Sequence, residues 1–441
     1  MHTIARREFL DRGAKMCFNT MYKIRGIFIY LMKLPKNKLF FQKEFFGSRI
    51  YNAESQEEYF LNEKSTYVVE KIISSDDKNK VNLSKFKGGL AKEELLTSDI
   101  IPIKNKRSYG LSSPQRISLN ITRKCNLRCK HCFTSAGNAD EDELTTEELF
   151  KLIDQMKEAG SFFLAIGGGE PLLRDDLFRV IKYARENFIA VSLVTNGLLV
   201  NEKIAQKLDA LNLNTITVSL DGLEKNHDFI RGKDNFIKTI NNVKILRKYC
   251  RTAKLAARVT VSRLNINECG ELIKIAEDLS LDLIRLTPML LLGRAKDNQQ
   301  LLMNQDEYIR FLGSMRNINS KIKLVLPNQG DSDKWFVCPE DFGCHCGKET
   351  CWITQTGDFY PCIFFGDRFL AGNIRNEKFL DLWDKFKNMV KLEGNETCKN
   401  CADYKKCRGG CRARALVEYG DINAVDPFCV LRKNKTNILN Q

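Results

Sequence analysis

The stretch ISLNITRKCNLRCKHC, residues 117–132, joins a strand-like run of β-branched residues to a loop that contains three cysteines. Cys125, Cys129 and Cys132 fall within eight positions, and the next cysteine along the chain is Cys250. A structural zinc site normally closes four protein ligands around the metal. Three thiolates at this spacing therefore predict a metal centre with one open coordination position, where a substrate or cofactor can bind.

The residues that follow this stretch alternate short apolar runs with amphipathic segments as far as Leu292. Near-continuous apolar strands between helices are typical of a parallel sheet that is covered on its outer side. The best-defined helix starts with a Thr145–Glu148 capping box and ends at Gly160. The six predicted strands cover residues 117–122, 162–167, 189–195, 215–220, 257–262 and 284–289. Six β/α units predict an α/β fold, a partial, TIM-like (β/α)6 barrel.

Unusual polar and glycine-rich motifs stand directly after the first four predicted strands. The cysteine loop is followed by GGGEP at Gly167–Pro171, TNG at Thr195–Gly197 and SLDG at Ser219–Gly222. In parallel α/β architectures the functional groups gather at the carboxyl ends of the strands. We therefore expect these four motifs to share one rim of the barrel.

The chain has 441 residues, too many for a single core, and its 43% hydrophobic content indicates a globular protein of two or three domains. Before the barrel pattern, two or three predicted strands run into a helix, which indicates a small module of winged-helix-like shape. A polar segment at 102–116 is typical of a linker. The predicted divisions are an amino-terminal extension at 1–35, the module at 36–105, the barrel core at 114–310 and a cysteine-rich domain at 338–435.

The apolar run near the start of the chain, GIFIYLM at Gly26–Met32, is far shorter than the roughly 20 residues of a membrane-spanning helix. No small-residue cleavage pattern follows it, so we expect a cytoplasmic protein without a secretory signal. In that compartment, 16 cysteines indicate metal ligation more than disulfides. Cys17, Cys250 and Cys269 are scattered and are predicted to be buried small hydrophobes. The net charge of +15 comes from dispersed lysines, which predicts a solvated surface with no nucleic-acid or membrane partner.

The cysteine loop resembles the CxxxCxxC loop of the radical S-adenosylmethionine (SAM) superfamily, which follows the first strand of a partial barrel. The resemblance implies that the three thiolates hold a [4Fe–4S] cluster whose free iron chelates the amino and carboxylate groups of SAM. It also implies that one-electron reduction releases a 5′-deoxyadenosyl radical. No catalytic side chain is assigned. The implied cofactor contacts are Gly168, Gly169 and Glu170 for the methionyl amino group, and Ser219 and Arg231 for the ribose and the carboxylate.

The cysteines near the carboxyl end resemble the SPASM extension of peptide-modifying radical SAM enzymes, which binds two auxiliary [4Fe–4S] clusters. The motifs are a CxxCxxxxxCxxxC run at 398–411 and the segment Cys346–Gly357–Cys362. Three clusters are therefore expected in all, and the alternative for the first motif is a zinc ribbon. The implied ligands of the first auxiliary cluster are Cys346, Cys362, Cys411 and one of Cys338, Cys344 and Cys351, where Cys344 could also replace Cys346. The implied ligands of the second are Cys398, Cys401, Cys407 and Cys429.

A peptide maturase is the favoured function. The amino-terminal module resembles the recognition element of enzymes that modify ribosomally made peptides, in which the leader peptide adds a strand to the module's sheet. The resemblance implies a precursor peptide as substrate and a flavodoxin or ferredoxin as electron donor. A thioether crosslink is the expected product, and the sequence leaves a carbon–carbon crosslink open as its alternative.

Three alternatives stay open at this point. A sulfatase maturase, which forms formylglycine, would carry an aspartate directly after Cys362, where this chain has Ile363. Porphyrin side-chain decarboxylation in cofactor biosynthesis would not require the amino-terminal module. A multi-cluster electron carrier would need no SAM site. The GGGEP segment and the barrel pattern indicate such a site and are therefore evidence against a carrier.

Overall fold

The computed structural model describes residues 18–24, 27–32, 37–105, 110–327, 344–390, 396–402, 404–407 and 409–429. The first two ranges are antiparallel strands, β1 (Phe18–Ile24) and β2 (Ile27–Met32). The apolar run GIFIYLM therefore lies largely in a strand. Across these ranges, no helix is both long and apolar enough to cross a membrane.

Residues 37–105 form a module on a four-stranded sheet of order β5-β4-β3-β6. Strands β3 to β5 are an antiparallel meander, and β6 runs parallel to β3. The predicted strands that run into a helix are confirmed, and β6 adds a fourth strand where the linker was expected to begin. The elements are β3 (Lys38–Glu44), β4 (Gly47–Asn52), β5 (Glu57–Asn62), α1 (Glu63–Ser74), α2 (Lys92–Thr97) and β6 (Asp99–Ile103).

Seven parallel strands then follow one another around the barrel from β7 to β13, each hydrogen-bonded to the next. The six predicted strands are confirmed within three residues at each end, and β13 extends the sheet by one short strand. The strands are β7 (Arg116–Thr122), β8 (Phe163–Gly168), β9 (Ala190–Thr195), β10 (Thr215–Ser219), β11 (Lys254–Val261), β12 (Leu283–Pro288) and β13 (Lys323–Val325).

Amphipathic helices cover the outer side of this sheet and bury its apolar residues in one large core. The predicted capping box is present, since Thr145 Oγ1 accepts from the Glu148 amide at 3.2 Å and Glu148 Oε2 accepts from the Thr145 amide at 2.8 Å. Cys250 and Cys269 are fully buried in this core, as predicted, whereas Cys17 lies outside the described residues. The helices are α3 (Thr146–Ala159), α4 (Leu177–Glu186), α5 (Glu202–Ala210), α6 (Glu224–Arg231), α7 (Asn235–Tyr249), α8 (Cys269–Asp278) and α9 (Gln305–Arg316).

The carboxyl-terminal region joins the barrel sheet at its other edge. Strand β14 pairs in parallel with β7, and β15 and β16 continue the sheet in antiparallel fashion. This region is thus anchored to the same strand that leads into the cysteine loop. Its elements are β14 (Thr350–Ile353), β15 (Asp358–Tyr360), β16 (Gly372–Asn373), α10 (Phe379–Met389), α11 (Glu396–Lys399), α12 (Tyr404–Cys407) and α13 (Arg412–Tyr419).

The amino-terminal module packs against the barrel through aromatic side chains. Tyr51 stacks on Phe162 with ring centroids 4.6 Å apart, and its hydroxyl donates to the Phe188 carbonyl oxygen at 2.9 Å. Phe162 directly precedes β8, and Phe188 lies two residues before the start of β9. The module therefore lies at the amino ends of the barrel strands, away from the rim on which the motifs were predicted to meet.

Candidate functional site

The motifs after the first strands meet at the carboxyl rim of the barrel, as predicted. The Glu170 amide donates to the Lys124 carbonyl oxygen at 2.8 Å, which joins the GGE segment to the cysteine loop. The Lys130 amide donates to the Ile230 carbonyl oxygen at 3.0 Å, which joins the same loop to α6. Backbone contacts thus bring the segments that follow β7, β8 and β10 into one site.

The three thiols of the loop share a common electrostatic environment. Burial raises the pKa of the Cys129 thiol to about 11, and the nearby Arg231 cation works against that rise. Burial also raises the pKa of Cys125, which interacts electrostatically with Cys132. Deprotonation of Cys125 and Cys129 for metal binding therefore has to be driven by the metal, since burial favours the protonated form of these two thiols.

Glycines are required in the GGE segment because it lies directly against the cysteine loop. A Cβ on Gly169 would stand 2.2 Å from the Lys124 carbonyl oxygen, closer than any real contact. Gly168 has φ = 121°, and its Cβ would stand 2.4 Å from the Thr122 carbonyl oxygen. The absent side chains thus allow two backbones to pack together at the site.

Glu170 is fully buried and holds the neighbouring loop in place. Its Oε1 accepts from the Thr195 hydroxyl at 2.7 Å and from the Leu172 amide at 3.1 Å, while its Oε2 accepts from the Asn196 amide at 2.7 Å. Burial raises the pKa of this carboxyl, and these three hydrogen bonds oppose the rise. The TNG motif, which had no role from the sequence, is therefore the partner of Glu170.

A second buried carboxylate, Asp221 of the SLDG motif, connects three parts of the site. It accepts from His131 Nε2 at 2.7 Å, from Arg231 Nε at 2.5 Å and from the Thr260 amide at 2.6 Å. Burial alone would raise the pKa of Asp221, but Arg231 and His131 outweigh it and hold the pKa well below its usual range. His131 stands between two loop cysteines, so Asp221 links the cysteine loop to Arg231.

Sequence reasoning assigned no role to Asp221 or His131, although both stand inside quoted motifs. The signal that could have found Asp221 is a lone carboxylate directly after a strand of a parallel sheet. The remaining predicted contact, Ser219, is half-buried at the end of β10. Its hydroxyl makes no hydrogen bond with any residue that the structure describes.

Four of the carboxyl-terminal cysteines gather into a first set, defined here as Cys344, Cys346, Cys362 and Cys411. Hydrogen bonds to the thiols of Cys344 and Cys362 raise the pKa of Cys346. Cys344 interacts electrostatically with Cys411, which directly precedes α13. Cys351 lies elsewhere, 2% exposed on β14 within the main hydrophobic core, and Cys338 lies outside the described residues.

A second set gathers around Cys398, whose thiol interacts electrostatically with Cys401, Cys407 and Cys429. Asp426 connects the two sets. Its carboxylate accepts from the Cys411 amide at 2.7 Å, and its carbonyl oxygen accepts from the Cys429 amide at 2.9 Å. The eight cysteines therefore fall into two neighbouring quartets. These quartets match the two ligand sets that the resemblance implies, if Cys344 is taken as the fourth ligand of the first auxiliary cluster.

The donor chemistry of all three groups is thiolate, which suits iron–sulfur clusters, copper(I) and zinc. A single zinc ion needs its ligands to converge on one point. Among the residues that the structure describes, no three His, Cys, Asp or Glu side chains converge in that way. In a cubane each thiolate binds a different iron, so one triad and two quartets of thiols match the ligand sets of [4Fe–4S] clusters.

A model of the radical SAM superfamily matches residues 119–275, and a model of the SPASM iron–sulfur cluster-binding domain matches residues 344–408. Mycofactocin maturase MftC of Mycolicibacterium smegmatis is 31% identical over an alignment of 340 residues that covers 73% of this chain and 84% of that protein. AdoMet-dependent heme synthase of Methanosarcina barkeri is 29% identical over an alignment of 347 residues that covers 74% of this chain and 98% of that protein.

Among solved structures, Streptococcus suis SuiB bound to S-adenosylmethionine superposes with a TM-score of 0.65 at 19% identity, and covers 88% of this chain and 97% of its own. This similarity concerns the fold alone. Residues 110–441 make up about three quarters of the chain, so the shared fold includes part of the residues before the barrel. The two curated relatives cover a smaller share of the chain than this structure does.

Proposed function

The chain belongs to the radical SAM superfamily and carries a SPASM domain, and from this premise we propose that it is a maturase of a ribosomally made precursor peptide. It is a SAM-dependent enzyme with [4Fe–4S] clusters. We further propose that it joins a cysteine sulfur to a carbon atom of the peptide in a thioether crosslink. A flavodoxin or ferredoxin is the proposed electron donor.

Different residues at the barrel rim would bind the cluster and the separate groups of the cofactor. Cys125, Cys129 and Cys132 would hold the cluster, and reduced cluster and SAM together supply a 5′-deoxyadenosyl radical. Arg231, fixed by Asp221, would present its charge to the cofactor carboxylate, with Ser219 at the end of β10 as a hydroxyl partner. The GGE segment, packed on the cysteine loop, would receive the methionyl amino group.

We propose three clusters in total, with two auxiliary clusters on the carboxyl-terminal quartets. The first would be held by Cys344 with Cys346, Cys362 and Cys411, because these thiols lie together while Cys351 is buried in the core. Crosslinking removes two hydrogens from the substrate: the radical takes one from carbon as an atom, and the thiol gives up the other as a proton, so that one electron remains when the sulfur–carbon bond forms. Auxiliary clusters would supply a binding position for the substrate thiolate or accept the remaining electron.

The observation that carries the peptide proposal is the amino-terminal module. Its sheet ends in β5 on one side and β6 on the other, so in the described part of the chain both outer strands have an unpaired edge. Such an edge can receive a further strand through backbone hydrogen bonds. The MftC relative is itself named a maturase, and the streptococcal SuiB fold has also been solved with its precursor peptide SuiA.

The test is anaerobic turnover of the reconstituted enzyme with dithionite, SAM and a short cysteine-bearing peptide, taken from the reading frames that neighbour its gene. We expect 5′-deoxyadenosine together with a peptide lighter by two hydrogens and with one free thiol fewer, measured by mass spectrometry and alkylation. A peptide that keeps its mass while 5′-deoxyadenosine accumulates in excess would contradict the proposal.

A second candidate is porphyrin side-chain decarboxylation. It is favoured by the match to AdoMet-dependent heme synthase, which spans nearly the whole of that relative. The same assay with an iron porphyrin in place of the peptide separates the two functions. Carbon dioxide release that depends on the porphyrin, without any change in the peptide, would select the second candidate.

A further inference from the structure

The first strand of the barrel, β7, carries a polar side chain on its inner face. Side chains alternate between the two faces of a strand. Ile117, Leu119 and Ile121 lie in the core between the sheet and the outer helices, so Ser118 and Asn120 face the lumen of the barrel. Asn120 is only 4% exposed, and its carboxamide makes no hydrogen bond with any residue that the structure describes.

A buried carboxamide without a partner is unfavourable, because the group has given up its hydrogen bonds to water without replacing them. In native proteins such a group needs an explanation, of which a bound ligand is one. The hydroxyl of Ser118, on the same face of β7, is half-buried and likewise makes no hydrogen bond within the described part of the chain. The inner face of this strand therefore offers two polar groups to the lumen.

Gly167, the first glycine of the GGGEP motif, lies beside Asn120, since the two are register partners in the β7–β8 ladder. Ile166 belongs to the outer core, so position 167 faces the lumen. The next two glycines are required because a Cβ on either would collide with the backbone, and Gly167 has no such reason. Among the residues described, its Cβ would meet within 4 Å only the Val194 Cβ, at an ordinary 3.8 Å. The missing side chain therefore leaves space in the lumen next to Asn120.

This space adjoins the proposed cofactor site. Thr122 is the next inward-facing residue of β7, about 7 Å further along the strand from Asn120. Its carbonyl oxygen accepts from the Gly169 amide at 2.8 Å. The GGE segment, which is proposed to receive the methionyl amino group, begins directly after Gly167. A molecule in the space would therefore lie one layer below the cofactor.

The wall around the space is uncharged. Besides Ser118 and Asn120, the lumen-facing residues are Ala165 and Gly167 on β8 and Val194 on β9, since their neighbours along each strand lie in the outer core. A carboxamide presents a donor and an acceptor side by side, and a peptide group has one of each. This wall provides hydrogen bonds without a counter-charge, so it suits an amide better than a carboxylate or an ammonium group.

We propose that Asn120 binds a main-chain amide of the peptide substrate in the space that Gly167 leaves beside it. The inference rests on the proposed function and specifies how its substrate is held, through uncharged backbone close to the residue that is modified. Ser118 adds a hydroxyl to the same wall. A site of this kind, mostly apolar with a few polar groups that fix orientation, is typical of ligand-binding pockets.

Binding of acetyl-alanyl-seryl-alanine amide, a neutral peptide, to the oxidised, SAM-loaded holoenzyme tests the site by isothermal titration calorimetry. We expect the wild type to bind it. Asn120→Leu should weaken binding at least tenfold, because it removes the hydrogen bonds at similar volume, and Gly167→Val should do the same by filling the space. Two matched controls should bind as the wild type does. They are Asn241→Leu, exposed on α7, and Gly313→Val, exposed on α9, where a Cβ would meet nothing of the described chain within 4 Å.

Stability and SAM affinity separate a binding role from a structural one. Asn120→Leu should keep its iron content and melt at the same or a higher temperature, because it removes a buried amide that lacks a partner. No probe binding by the wild type, or binding by both variants as tight as that of the wild type, would overturn the proposal. A lower melting temperature of Asn120→Leu, with normal probe binding by Gly167→Val, would make Asn120 structural. Loss of SAM affinity in both variants, with probe binding only in the absence of SAM, would assign the space to the cofactor and overturn the proposal as well.

Turnover and a second ligand separate this inference from the proposed function. If the wild type and both variants crosslink the precursor peptide at the same rate, the inference fails and the proposed function stands. If the neutral peptide binds through Asn120 and Gly167 but the neighbouring precursor is not modified, the choice of precursor has failed and the amide site stands. If coproporphyrin III binds, Gly167→Val blocks it and the neutral peptide does not bind, both the inference and the peptide substrate are wrong and the second candidate function is selected.

Discussion

Asp221 is the residue on which the geometry of the rim depends. Its side chain holds His131 of the cysteine loop and Arg231 of α6, and its Oδ1 is fixed by the Thr260 amide. Burying a carboxylate lowers the stability of the fold only slightly as long as all three of its partners are present. Removing its charge leaves Arg231 buried without compensation, and such a loss typically costs about 3 kcal/mol or more.

We therefore expect Asp221→Asn to lower the free energy of unfolding by about 3 kcal/mol and to weaken SAM binding about tenfold. The amide keeps the shape of the side chain, so the cluster should still assemble. The measurements are chemical denaturation, and SAM titration followed by the electron paramagnetic resonance signal of the reduced cluster. Asp209→Asn, which affects a carboxylate that accepts from two backbone amides far from the rim, is the control. An unchanged SAM titration would show that Asp221 does not position the cofactor contacts.

The assignment of the first auxiliary cluster also belongs to the scale of single residues. Cys344→Ser should lose the iron of one cubane, about four of the roughly twelve irons that three clusters contain. Cys351→Ala should lose no iron, because that thiol is buried in the hydrophobic core. It should lower the free energy of unfolding only slightly, because the cavity left by one sulfur atom is small. Iron content after anaerobic reconstitution measures both. The opposite pattern of iron loss would assign Cys351 to the cluster.

Between elements, the strands of the amino-terminal module meet the barrel through a buried charge cluster. Arg49 on β4 forms ion pairs with Glu44 on β3 at 2.8 Å and with Glu58 on β5 at 3.2 Å, and donates to Ser113 beyond the module at 2.9 Å. One cation thus faces two buried carboxyls. Burial raises the pKa of Glu58 to about 7, with Arg49 opposing it.

This imbalance predicts a pH dependence. Because the pKa of Glu58 in the folded protein lies above its ordinary value of 4.5, the folded state binds the proton more tightly than the unfolded chain, and stability falls as the pH rises from about 4.5 to 7. The loss amounts to at most about 3 kcal/mol. Glu58→Gln should therefore melt several degrees above the wild type at pH 8 and at nearly the same temperature at pH 5. Glu54→Gln, at an exposed position in the preceding loop, should show no such difference, and an equal gain at both pH values would contradict the argument.

On the scale of the whole molecule, the two cysteine fields are joined by the sheet. Strand β14 of the carboxyl-terminal region pairs with β7, which leads into the cysteine loop, and Trp383 on α10 donates to the Leu111 carbonyl oxygen at 3.0 Å. The carboxyl-terminal region thus contributes to the barrel as well as to its own quartets. Loss of an auxiliary cluster need not unfold the barrel, since β14 and its hydrophobic neighbours belong to the main core.

Replacing the two cysteine fields separately should therefore have different effects. Cys125, Cys129 and Cys132 changed together to alanine should abolish 5′-deoxyadenosine formation, because no ligand of the SAM-binding cluster remains. Cys398 and Cys401 changed to alanine should retain 5′-deoxyadenosine formation and lose the peptide crosslink. The iron content and solubility of each variant are measured together with its products, since cluster loss and unfolding are coupled. A soluble second variant that crosslinks at the normal rate would make the auxiliary clusters structural.

The sequence by itself determined the parallel barrel, the loop that carries the three thiols, and the motifs that follow the first strands. These features are local, since strand and helix periods, a capping box and cysteine spacings are encoded within a few residues of one another. The carboxyl ends of parallel strands meet at one edge, so the shared rim also followed from the strand order.

Only the tertiary structure decided which distant residues become neighbours. The pairing of β14 with β7, the stacking of Tyr51 on Phe162 and the contact of His131 with Asp221 join residues that are far apart in the chain. The choice of Cys344 over Cys351, and the juxtaposition of Asn120 with Gly167, were decided at the same level. The physical reason is that packing and strand register depend on the summed contacts of the whole core, and no short stretch of sequence contains that sum.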